Sequence, residues 1–107
     1  MNQSDYFQNL LKGLCKANNI SPRKPRFDNI DDFVIIHVKN HLKEGVDIES
    51  FKILNLIVQT VVPLGIKFNQ QLILYPNGDR LDRVTISFSR NDYMILNKKL
   101  ETGGINN

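Results

Sequence analysis

The sequence has one cysteine, Cys15, so no disulfide closes within the chain and no cysteine-rich zinc site forms. A lone thiol fits a reducing cytosol. Long apolar runs are missing as well. The most apolar stretch, residues 53–66, is interrupted by Asn55, Gln59, Thr60 and Pro63 and is too short to span a bilayer. Asp5 and Gln8 precede any apolar run, so no signal peptide is expected. The six glycines are scattered over positions 13, 45, 65, 78, 103 and 104, which leaves no glycine-rich phosphate loop. No serine sits in a nucleophile elbow. Tryptophan is absent and alanine occurs once, at Ala17.

What is present completes the picture. Thirteen Asn, twelve Ile and nine Lys against that single Ala reflect AT-rich codons, as in low-GC bacteria, their plasmids and phages. The 41% apolar and 23% charged content is that of a soluble globular protein, and 107 residues suit one domain, 1–107, with one core. Charge is unevenly spread. Residues 1–26 carry Lys12, Lys16, Arg23, Lys24 and Arg26 against Asp5 alone, whereas residues 27–107 hold nine positive and ten negative side chains. Excess positive charge at one end raises the prospect of a polyanionic partner.

Local signals predict four helices and a hairpin. The first helix runs from Ser4, its N-cap, to Ala17, with Phe7, Leu10, Leu11 and Leu14 as the buried stripe and Asn18 or Asn19 ending it. Residues 18–29, containing "SPRKPR", read as an extended basic linker, because proline pushes Ser21 and Lys24 away from helical geometry. Ile20 and Phe27 should anchor its ends. A second helix is expected after Asp31-Asp32, with Val34, Ile35, Val38 and Leu42 on one face. The β-branched run "FVIIHV" keeps a strand at 33–38 as the alternative. A third helix over 47–62 is capped by Asp47 and buries Phe51, Leu54, Ile57, Val58 and Val61. Strands at about 66–75 and 81–89 flank "PNGDR", a hairpin turn, with Val84, Ile86 and Phe88 facing inward. Phe68, Leu72 and Leu74 should share that face, and Gln70 among them needs a partner or an edge position. A last helix is capped by Asn91 or Asp92 and sets Tyr93, Leu96 and Leu100 on one face, with 104–107 as a frayed tail. The expected fold is α+β: three N-terminal helices, a hairpin and a C-terminal helix, a winged-helix-like order.

Candidate chemistry is sparse. His37, His41 and Glu44 stand at i, i+4 and i+7, the spacing of metal ligands on a helix, but the polar flank of an amphipathic helix explains them without a metal. Cys15 has only Lys16 beside it to activate a thiolate, and a helical cysteine is usually a small buried hydrophobe. No enzyme and no cofactor are expected. The 47–62 helix opens with Asp47 and Glu49, which phosphate repels, so it makes a poor recognition helix. Contacts to nucleic acid fall instead to Arg23, Lys24 and Arg26 of the basic arm and to Arg80 and Arg83 of the hairpin.

Elimination favours a small non-enzymatic, cytoplasmic protein-binding domain, an accessory or inhibitor protein of a phage or other mobile element. Its partner is another protein, and no membrane is involved. The alternative is a winged-helix-like nucleic-acid-binding regulator that uses the basic arm.

Overall fold

The computed structural model describes residues 5–42, 44–45, 47–78 and 80–103. Ser4, Asp79 and the 104–107 tail lie outside them. The chain folds in the order α1 (Tyr6–Ala17), β1 (Pro25–Ile30), β2 (Phe33–Lys39), α2 (Ile48–Val61), β3 (Asn69–Leu74), β4 (Leu81–Ser89) and α3 (Arg90–Glu101). The strands form one antiparallel sheet ordered β1-β2-β4-β3. The α+β class therefore holds. The arrangement of three N-terminal helices followed by a hairpin does not, and with it goes the winged-helix-like order.

The error lies at residues 25–39. Val34, Ile36 and Val38 are buried, while their neighbours Phe33, Ile35, His37 and Lys39 face the other way. This two-residue period is a strand's, and four β-branched residues in a row of five stiffen it. Apolar Ile35 blurs the alternation and lets the run imitate a helical stripe. Asp31-Asp32 is a two-residue hairpin loop and not a helix cap: Ile30 pairs with Phe33, and Asp31 takes φ 53°. Asp is one of the few side chains that tolerates this left-handed geometry. The supposed basic linker splits accordingly. Residues 21–24 form a turn closed by Lys24 N–H on the Ser21 carbonyl at 3.1 Å, and Pro25 opens the edge strand β1, where a missing N–H does no harm. Ile20 and Phe27 do pack against the core at the two ends of this segment.

The three helices share one core with the even-numbered face of the sheet: Val34, Ile36, Val38, Val84, Ile86 and Phe88. Phe7 of α1 is its aromatic node, with edge-on rings of Phe27, Phe88 and Tyr93 at 6.0–6.2 Å. Asp5 caps α1 by accepting from Gln8 N–H, and the buried Tyr93 hydroxyl donates to both of its carboxylate oxygens at 2.7 and 3.0 Å. The start of α1 is thus tied to α3. Asp47 caps α2 as expected, whereas α3 is capped by Ser89, which accepts from Asp92 N–H, and not by Asn91 or Asp92. The phase of α2 is rotated slightly from expectation: Ile53 is fully buried, while Phe51 is half exposed. Leu72 and Leu74 are also half exposed, because β3 is an edge strand, and this edge position accounts for Gln70.

A basic basin on the open face of the sheet

Because side chains alternate, the second face of the sheet presents what the core does not use. Arg26 pairs with His37, His37 with Thr85, and Lys39 with Arg83, so these residues from β1, β2 and β4 adjoin on one surface. Arg23 and Lys24 from the 21–24 turn, His41 beyond β2 and Asp82 complete a basin of about 290 Å³.

The loop behind this basin is fixed by Asn40, a buried side chain. Its Nδ2 donates to the Leu81 and Gly45 carbonyls at 3.0 Å, and its Oδ1 accepts from Asp47 N–H at 2.8 Å. Its own N–H donates to the Asp82 carbonyl at 2.9 Å. One residue therefore locks the end of β2 to the start of β4 and to the cap of α2.

The basin's cations are not equivalent. Lys24 Nζ donates to Asp47 Oδ2 at 2.7 Å, lies 3.8 Å from Glu49, and has only 8% of its side chain exposed. It is a structural strut across to α2. Burial pushes the Asp47 carboxyl up, but the hydrogen bonds from Lys24 and Glu49 N–H, with the charges of Lys24 and His41, hold it below the usual range overall. Arg83 Nη1 donates to Asp82 at 2.8 Å, and Lys39 stands 3.8 Å from the same carboxylate. Among the described residues Arg23 and Arg26 have no ion pair. With Lys24 neutralised and Asp82 shared between two cations, the basin keeps a positive balance. Arg80, assigned with Arg83 to the hairpin, instead stacks on the Tyr75 ring at 4.5 Å and does not line the basin.

His37 has 13% of its side chain exposed, and neither ring nitrogen has a hydrogen-bond partner among the described residues. Burial lowers its pKa first, then the charges of Arg83 and Arg26, with Asp28 opposing them. The sign for stability follows. The unfolded chain binds this proton more readily, so folding loses stability as pH falls below the ordinary histidine value of about 6.5. Denaturant midpoints of the wild type should fall between pH 7.5 and 5.5. His37→Gln should flatten that slope, and an equal slope in the variant would assign it to other groups.

The supposed metal trio loses its premise, since His37 lies on a strand and no helix aligns it with His41 and Glu44. Among the described residues no cluster of three His, Cys, Asp or Glu could hold a metal ion. Cys15 is fully buried and burial raises its thiol pKa, which makes it an inert core residue. No described helix is long and apolar enough to cross a membrane. Lys39 is the functional candidate that sequence reasoning missed, and a strand assignment would have found it, since His37 and Lys39 share a face at i, i+2.

No protein-family model, curated protein or solved structure matches this chain.

Proposed function

We propose that the protein is a non-enzymatic nucleic-acid-binding domain that holds the phosphates of a strand in the basin on its open sheet face. The supporting observation is the convergence of Arg23, Arg26, Lys39 and Arg83, drawn from four separate segments, around a single concave surface with one carboxylate among them. The same face of the four-stranded sheet extends beyond that charge, with Phe33 half exposed at its far end as one stacking surface. A single aromatic favours sequence-tolerant backbone contact over base readout. Fluorescence anisotropy with single-stranded and duplex oligonucleotides tests the reading. Four phosphate contacts should give a salt slope of about −3 on single strands, an affinity loss of about 50-fold between 50 and 200 mM salt. Absence of binding at low salt would dismiss the proposal.

A protein-binding reading has its own support in β3. This edge strand carries no charge and no proline, and Leu72 and Leu74 are exposed, so little guards it against pairing with another chain. If β3 recruits a partner, Leu72→Lys should abolish its capture from the native host while the melting temperature stays unchanged. Capture that survives would remove β3 from consideration.

A further inference from the structure

The rim and the floor of the basin differ in chemistry. At the rim, charged groups reach into solvent, suited to phosphodiesters passing along a strand. The floor holds buried polar atoms with no hydrogen-bond partner among the described residues: both nitrogens of His37, one a donor and the other an acceptor in the neutral ring, and Nε of Arg83, whose Nη1 is already given to Asp82. Asp28 Oδ2 stands 3.7 Å from His37 Nε2, beyond hydrogen-bond reach. Buried polar groups without partners are rare because each carries a desolvation cost, and here three such atoms belong to two residues, His37 and Arg83, that line one concavity.

A phosphodiester has one negative charge and two free oxygens, both spent at the rim. A terminal phosphate monoester has three free oxygens and a charge of about −1.5 to −2, and can enter end-on. The basin, at about 290 Å³, sits at the lower end of small-ligand pockets, about 300–1,000 Å³. Resting on the nucleic-acid reading above, we propose that His37 and Arg83 Nε receive the terminal phosphate monoester of the bound strand. The groups facing His37 are Arg26 and Asp28 from β1 and Arg83 with Thr85 from β4. Lys39, His41, Arg23, Lys24 and the Asp82 carboxylate, which Arg83 and Lys39 share, complete the wall. In the free protein burial and the two arginines keep the imidazole neutral at pH 7, against Asp28. An arriving dianion reverses that balance, so the ring takes up a proton as the phosphate binds.

Anisotropy with short single strands of one sequence, ending in 5′-phosphate, 3′-phosphate or hydroxyl only, tests the inference at 0.1 M salt and pH 7. One phosphorylated end should bind about tenfold tighter than the hydroxyl strand, the effect of one charge-assisted hydrogen bond or more. His37→Gln should erase most of that preference. So should Arg83→Lys, which keeps the charge but removes the planar fork, and His37→Gln should leave binding of the hydroxyl strand in place. Calorimetry in two buffers of different ionisation enthalpy should report proton uptake in the wild type and less in His37→Gln. Equal affinity for all three ends would overturn end recognition and leave the nucleic-acid reading standing. A preference that survives both variants would place the phosphate elsewhere. Inorganic phosphate displacing the strand as well as the phosphorylated oligonucleotide does would make this a free-phosphate site and overturn the strand assignment. If no oligonucleotide binds, both readings fall.

Discussion

Asn40→Ala is expected to lower the unfolding free energy by about 3 kcal/mol, although it exchanges a buried polar side chain for an apolar one. The Asn40 side chain is 1% exposed and satisfies the Leu81 and Gly45 carbonyls and the Asp47 N–H. Alanine strands all three. Each buried unpaired group costs about 1–3 kcal/mol, and water entering the vacated space recovers part of the total. For a domain of this size the melting temperature should drop by about 10 °C or more. Asn55→Ala, on the exposed side of α2, should stay within about 0.5 kcal/mol of the wild type. Chemical denaturation of the two variants separates the cases, and equal midpoints would mean that Asn40 does not fasten β2, β4 and the α2 cap together.

Where local chemistry and tertiary packing ask for the same thing, the fold is legible from residues alone. The β3–β4 hairpin is one such place: Val84, Ile86 and Phe88 alternate cleanly with polar neighbours, and Gly78 supplies the positive φ its turn needs. α1, α2 and α3 are others, each with an acceptor side chain at its start. The β1–β2 hairpin is not legible in this way. Its loop uses two aspartates where glycine or asparagine is the usual signal, its first strand holds Pro25, Arg26 and Asp28, and Ile35 puts an apolar residue on the open face. Every one of these features argues locally against a strand, and only pairing with β4 across the sheet resolves them.

The basin inherits that difficulty. Arg23, Arg26 and Arg83 stand out singly as basic residues, yet some 60 positions of chain separate the arm from Arg83. The β1-β2-β4 register joins them, and it cannot be drawn while β2 is taken for a helix. The same assignment turned His37 and His41 into a helical ligand pair. Lys24 shows a different limit. Its charge is visible in the sequence, but its burial against Asp47 is a tertiary contact, so charge alone overstates what the arm offers to a ligand.

Changing Arg23, Arg26 and Arg83 to Gln together is expected to weaken strand binding by about 100-fold at 0.1 M salt. Each lost phosphate contact on a single strand removes about 0.7 from the salt slope, which corresponds to about fivefold in affinity at that concentration. The fold should tolerate the change, because Arg23 and Arg26 are exposed and the Arg83–Asp82 pair is only part-buried, so that its loss should cost about 1 kcal/mol. Lys24→Gln should do the opposite. It breaks a strut with 8% of its side chain exposed, so about 1–3 kcal/mol of stability should go while affinity holds. The most direct test is therefore the salt dependence of single-strand binding by the wild type and the triple variant, measured side by side. A slope reduced by about 2 is the expected result, and an unchanged slope in a wild type that binds would contradict the basin as the phosphate site.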